Sequence, residues 1–208
     1  MLRKPSVYVA LLVAAAIIVS SSPVICAERD HEDGFFLRLA GGAGPAGTEI
    51  NVGSEKLKMD GTAADLEIAI GGIVTPNLAV HGTIWGWMIS DPDAEANLTG
   101  FPVITGTIKG DLSVGGVGAG LTYFIMPINM YLTGSLGLGN LTLEINNISG
   151  DTDTGLIFEA AIGKEWFVSD RWAIGFAVGL TYHSFSDPDV DANWDGVSIP
   201  IRFSATMN

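Results

Sequence analysis

The densest set of oxygen ligands in the sequence is the run Asp187-Pro188-Asp189-Val190-Asp191-Ala192-Asn193-Trp194-Asp195-Gly196. From Asp191 it follows D-x-N-x-D-G, the opening of a calcium loop, and Asp187, Asp189, Asp191, Asn193 and Asp195 are the candidate ligands for Ca²⁺. The twelfth position holds Arg202 where a bidentate Glu belongs, so only half the motif is present and the competing reading is a solvated acidic loop. The run has a twin, Ser90-Asp91-Pro92-Asp93-Ala94-Glu95-Ala96-Asn97, which matches Ser186 to Asn193. Hydrolytic chemistry would need a nucleophile beside a base, and His183 next to Ser184 with Asp187 close by is the one such cluster. Neighbouring strand residues point to opposite faces, so His183 and Ser184 do not share a proton there, and His183 meets Ser186 only if the strand has ended. No enzymatic activity is expected. The third constellation is ionic: Arg38, Glu67, Glu159, Glu165 and Arg202, spaced far apart in sequence and each set among small or apolar residues.

What places these charges is a repeated two-residue period. From Trp172 to Tyr182 every even position is large and apolar (Trp172, Ile174, Phe176, Val178, Leu180, Tyr182) and every odd one is Ala, Gly or Thr. On a helix these side chains would scatter around the cylinder; on a strand they form one face. Leu156 to Val168 behaves likewise, with Glu159, Ala161, Gly163 and Glu165 opposite the apolar face and Lys164 its one interruption. Ser169-Asp170-Arg171 turns one arm into the other. Each arm has about the 9 to 11 residues that cross a bilayer as a tilted strand. Large side chains on one face and small or acidic ones on the other fit a membrane barrel, hydrocarbon outside and polar bore inside.

Eight strands are expected: 34–44, 64–74, 78–89, 112–125, 130–139, the two arms above, and 197–207. In the fourth, Leu112 and Val114 are out of phase with Val117, Ala119, Leu121 and Tyr123, and a bulge near Gly115-Gly116 would reconcile them. Three connections are tight (75–77, 126–129, 169–171) and four are long (45–63, 90–111, 140–154, 184–196). Short turns at one end and long loops at the other make a meander with its long end outside the cell. Phe35, Tyr123, Phe124, Tyr131, Trp166, Phe167 and Trp172 gather at the short-turn end as an expected interfacial girdle.

Residues 1–27 read as a cleaved signal peptide: Arg3 and Lys4, an apolar run from Val7 to Val19, then Ser20-Ser21-Ser22-Pro23, with the cut before Glu28. At 13 residues the run is short for a spanning helix, and Ile25 before Cys26 is not the small residue a lipidation site needs. Cleavage takes the formal charge from -13 to -15 and removes the single cysteine. The remainder, 28–208, is one domain. With 48% hydrophobic residues, 27 Gly and no basic cluster, a nucleic-acid partner is excluded.

On these strands and connections the chain resembles the small outer-membrane β-barrels, the OmpA/OmpX-type domain. The resemblance implies an eight-stranded antiparallel up-and-down transmembrane β-barrel in the bacterial outer membrane, monomeric, inserted by the barrel assembly machinery and surrounded by outer-membrane lipid and lipopolysaccharide. Such barrels usually finish on an aromatic residue, whereas this chain ends Thr206-Met207-Asn208. Strands two and six carry a second repeat, Leu66-Glu67-Ile68-Ala69-Ile70-Gly71 against Phe158-Glu159-Ala160-Ala161-Ile162-Gly163, which sets Glu67 and Glu159 on opposite walls of one bore. There Arg38, Glu67, Glu159, Glu165 and Arg202 form an internal salt-bridge plug, the alternative being a gated polar path. Trp85 and Trp87 fall on the inward phase near the long-loop end, and His81 reads as a packed bore histidine. The expected role is structural or adhesive, through acidic surface loops that bridge to lipopolysaccharide by divalent cations or meet a basic partner. The alternatives are a narrow channel or binding site for small hydrophobic molecules (OmpW-like), a barrel enzyme acting on lipids, or a soluble lipocalin-type barrel with the faces reversed.

Overall fold

The computed structural model describes residues 34–146, 148–187 and 192–207, with no description of the Asp187 side chain. The expected signal segment lies outside the described residues. The strands are β1 (Gly34–Val52), β2 (Glu55–Thr75), β3 (Leu78–Ser90), β4 (Asp93–Asn97), β5 (Ile104–Thr107), β6 (Asp111–Ile125), β7 (Met130–Ile145), β8 (Ile148–Asp151), β9 (Gly155–Phe167), β10 (Trp172–Asp187), β11 (Ala192–Ser198) and β12 (Ile201–Met207). All pairings are antiparallel, and the walls follow one another as β1, β2, β3, β6, β7, β9, β10 and the β11/β12 pair. The ring closes where β1 meets β12, from Leu37↔Met207 to Ala43↔Ile201, and β11, from Ala46↔Ser198 to Val52↔Ala192. Ile199-Pro200 divides the last wall because proline has no N–H for the ladder; Pro200 O still accepts from Gly179 N (3.0 Å) and Ile199 N still donates to Pro45 O (2.9 Å). The result is the expected eight-walled, up-and-down barrel, in which closure leaves no strand edge to face lipid.

The outer surface decides between a membrane barrel and a soluble one. One residue from each wall, Leu39, Leu66, Ile84, Val117, Leu136, Phe158, Phe176 and Phe203, is between 43% and 59% exposed. Bulky hydrocarbon thus coats the outside all round, the reverse of a lipocalin-type barrel. Lys164 sits on this coat, turns its ammonium to Ile128 O (3.0 Å) and lies 5.7 Å over the Trp166 ring, keeping its stem apolar and its charge at the rim.

Several sequence expectations are corrected. The stretch 45–63 is not a loop: β1 and β2 pair without interruption from Gly34↔Ile73 to Val52↔Glu55, turning at Gly53-Ser54 with Gly53 at φ 58°. The other long connections also carry strand, as β4, β5, β8 and the extended ends of β7, β10 and β11. The bulge at Gly115-Gly116 is absent. The β3–β6 register runs unbroken from Leu78↔Tyr123 to Ser90↔Asp111, and Leu112 and Val114 simply point inward, fully buried. Of the expected girdle, Phe124 and Tyr131 point into the bore, where they pack with Phe36, Ala69, Ile73, Ala79 and Ala177.

The bore is therefore layered. At the short-turn end is the aromatic cluster of Phe36, Phe124 and Tyr131. At the long-loop end Ala46, Ile50, Met59, Trp85, Trp87, Ile89, Leu112, Val114, Leu141, Ile157 and Phe185 form a second apolar cluster. The buried charges lie between them.

Candidate functional site

Alternation alone delivers the ionic residues to the bore: Arg38 from β1, Asp65 and Glu67 two apart on β2, Glu159 and Glu165 from β9, and Arg202 from β12, all buried. Arg202 is the hub. Its Nε and Nη2 form a fork on Asp65, with Nη2 to Oδ2 at 3.0 Å, while Nη1 donates to Glu67 Oε2 (2.7 Å) and to Glu159 Oε1. Glu67 joins the two guanidiniums, since its Oε1 lies 3.3 Å from Arg38 Nε. β2 and β9 are four walls apart in either direction around the ring, so Glu67 and Glu159 do stand on opposite walls, and Arg202 spans the gap.

Arg38 is held by more than charge. Its Nη2 donates to Thr122 Oγ1 (2.7 Å) and Thr133 Oγ1 (3.1 Å), and its guanidinium lies 4.6 Å over the Tyr131 ring and 5.5 Å over Phe36, a favourable cation–π arrangement. Glu165 accepts from Thr206 Oγ1 (2.6 Å) and Ser204 Oγ (3.3 Å). His81 is packed as expected, Nδ1 on Thr83 Oγ1 (2.7 Å) and Nε2 on Thr122 Oγ1 (3.0 Å). Asp65 is the member that sequence reasoning left out of the network. Its signal was available: it shares the inward phase with Glu67, two positions away. Such a network is expensive to bury and more expensive to break, because removing one partner strands the other in a dry interior.

Trp85 and Trp87 close the bore above the charges. Both point inward and are almost fully buried. The Trp85 indole packs its Cη2 against Gly118 of β6 and Gly137 of β7: a Cβ at Gly118 would come within 2.6 Å of its Cη2, and within 2.3 Å of Leu136 O. Beside Trp87, His183 stacks on Phe185 at 4.9 Å.

The strand reading of the His183 cluster holds, and only part of the acidic run can be followed. β10 continues to Asp187, so His183 faces the bore while Ser184 and Ser186 face out; His183 Nε2 is 3.3 Å from Thr48 Oγ1 instead. Of the proposed calcium ligands, Asp189 and Asp191 lie outside the described residues. Asn193 and Asp195 belong to β11, side by side on its outward face, with Asp195 Oδ1 accepting from Tyr182 Oη (3.2 Å). A strand holds them extended instead of curling them around an ion, and Arg202, in the motif's last position, is in the bore. Among the described residues no three His, Cys, Asp or Glu side chains converge as a metal site.

Above the apolar coat the outer wall is acidic, and its lysines are paired. Lys56 Nζ donates to Glu49 Oε1 (2.7 Å), Lys58 lies 3.7 Å from Asp60, and Lys109 donates to Asp91 (2.7 Å). The hydrogen bond from Lys56 holds the Glu49 carboxyl below its usual range, and that from Lys109, with the Gly110 N–H, does the same for Asp91.

No protein-family model matches the sequence, and no curated protein does. Among solved structures, the chain is similar to Neisserial surface protein A (13% identity, 86% of this chain and 99% of that one, TM-score 0.50). It is also similar to the outer membrane protein OprG from Pseudomonas aeruginosa (15% identity, 84% and 97%, TM-score 0.46). A third similar structure is Ail, the attachment invasion locus protein of Yersinia pestis (14% identity, 83% and 99%, TM-score 0.44). At these identities the likeness is one of fold, and the fold is that of the small eight-stranded outer-membrane β-barrels.

Proposed function

We propose that this chain is a non-enzymatic outer-membrane barrel with a sealed bore, and that its work is done by the acidic wall standing above the membrane. The observation that carries this reading is the layered filling of the bore: among the described residues a charge network locked through Arg202 lies between two buried apolar clusters, which favours a closed bore. What remains to interact is the outer end, where the lysines are already paired and the surplus of carboxylates favours cationic partners. These are divalent cations bridging to lipopolysaccharide phosphates, or a basic protein segment. Planar-bilayer recordings test the seal. Wild-type protein is expected to stay silent, and steady unitary conductance abolished by replacing Glu67 and Glu159 with Ala would establish a conduit instead.

A second reading rests on one pocket of about 380 Å³ at the outer mouth, lined by Leu141, Leu143, Ile145, Ile148 and Trp194. Its size and apolar walls suit a small hydrophobic molecule. Quenching of indole emission on titration of the nanodisc-embedded protein with a small apolar ligand, lost in Trp194→Phe, would favour it.

A further inference from the structure

The charged bore belongs to the plug and the mouth pocket to the second reading above, but one feature of the outer wall is used by neither. The hairpin of β4 and β5 extends the barrel wall sideways: β4 pairs with β2 from Lys56↔Asn97 to Asp60↔Asp93, and β5 pairs with β4 from Asp93↔Thr107 to Ala96↔Ile104. Among the described residues nothing pairs with the far side of β5, which ends the sheet. All four of its residues are exposed. Unprotected edges usually carry charge, proline or a bulge within the strand. β5 is itself short, at four residues, but Val103-Ile104-Thr105-Gly106-Thr107-Ile108 has no charge, proline or bulge, and it follows an apolar tip in which Phe101 is 70% exposed. The tip is also braced. Thr99 N donates to the Glu55 carboxylate (2.9 and 3.1 Å) and Thr99 Oγ1 lies 3.2 Å from Ser54 Oγ, which ties this hairpin to the β1–β2 turn.

We propose that β5 is a docking edge for an extended segment of a partner protein, added as a further antiparallel or parallel strand, and that the segment alternates basic and apolar residues. The two faces of the hairpin dictate that alternation. On the outward face lie Asp93 and Glu95, with Thr107 Oγ1 donating across to Asp93 Oδ1 (3.2 Å). A Lys or Arg on the added strand, about 4.8 Å beyond the threonine row, is long enough to reach those carboxylates. On the inward face the rows Leu57–Ala96–Ile104 and Met59–Ala94–Gly106 continue the apolar interior, and the missing side chain at Gly106 leaves room for a bulky apolar residue. Main-chain hydrogen bonds to the edge supply affinity, and the two rows supply specificity. A second copy of this chain is a poorer match, because its own β5 carries no basic residue to meet Asp93 and Glu95. The inference rests on the reading of the acidic wall as an interaction surface.

The test uses the full protein in nanodiscs and three synthetic peptides of equal length: alternating Lys-Val, alternating Glu-Val, and Lys-Val N-methylated along one edge. Lys-Val is expected to bind, Glu-Val to fail, and N-methylation to weaken binding on the order of tenfold or more by removing main-chain donors. Exchanging Asp93 and Glu95 for Lys, both exposed and outside the barrel wall, should reverse the Lys-Val and Glu-Val preference. Equal binding of the N-methylated peptide would overturn the docking edge while leaving the acidic wall as a cationic surface. Failure of every basic peptide, oligolysine included, would overturn both. Concentration-dependent dimers dispersed by Ile104→Lys would assign the edge to a second copy and overturn the partner proposed here.

Discussion

The lower and upper halves of the barrel are built from the same strands with opposite polarity. At the level of the exposed apolar coat, the inward residues are Arg38, Glu67, Thr122 and Glu159 and the outward ones are Leu39, Leu66, Val117 and Leu136. Higher on the same strands the inward residues are Ile50, Met59, Leu112 and Leu141, and the outward ones are Glu49, Lys58, Asp111 and Thr142. The β1–β2 and β6–β7 ladders run unbroken through both levels; the surroundings outside change. In hydrocarbon the outward face must be apolar and the bore can hold charge, whereas in water the ordinary rule of a dry interior returns. The boundary between lipid and water is thus written into the sequence as a reversal of phase at constant register.

That contrast can be broken most severely at Arg202. Replacing it by Ala strands Asp65, Glu67 and Glu159 in the dry bore and is expected to cost about 3–5 kcal/mol, read from urea unfolding followed by heat-modifiable gel migration. A loss below about 1 kcal/mol would mean the network does not hold the lower half together. The upper half is tested at Leu141→Ala, a buried side chain whose loss leaves a cavity and should cost about 2–4 kcal/mol. The matched change Leu136→Ala, on the lipid-facing wall of the same strand, should cost less than Leu141→Ala, because lipid chains fill the space left and only the transfer term is lost. Equal effects at 136 and 141 would mean that the two faces are not as distinct as described. The smallest effect belongs to the paired surface carboxylates. Glu49 and Asp91 are held below the ordinary carboxyl range, so their contribution is complete above that range and is lost as pH falls through the lowered values. Lys56→Ala and Lys109→Ala should each flatten the acid limb of the stability profile slightly, and an unchanged limb would show those pairs to be inert.

The reversal also explains what could be read from the sequence. Strands at bilayer level announce themselves where large and small residues alternate, as from Trp172 to Tyr182, and the inward phase names Arg38, Glu67, Glu159, Glu165 and Arg202 directly. Above that level the same alternation is present with the faces exchanged. Thr48, Ile50 and Met59 therefore read as loop, and Leu112 and Val114 read as out of phase. Asp65 sits at the crossover, where a carboxylate on the inward phase reads equally as bore or as loop. Which of the bore residues touch is not a matter of period at all: that Arg202 reaches Asp65, Glu67 and Glu159 together depends on side-chain length across a narrow cylinder. The acidic run 187–196 is legible only in part, since Asn193 and Asp195 belong to β11. Oxygen spacing alone does not reveal that these two side chains lie on an extended strand.

The hairpin of β1 and β2 has a mechanical consequence. Nineteen residues in one arm, at about 3.3 Å each and tilted near 45°, rise some 40 Å or more, against an apolar belt of about 25 Å. The surplus is a stiff mast, laddered to its tip. A contact made at the masthead is carried clear of the lipid headgroups and surrenders little conformational freedom on capture, since the chain there is ordered before anything arrives.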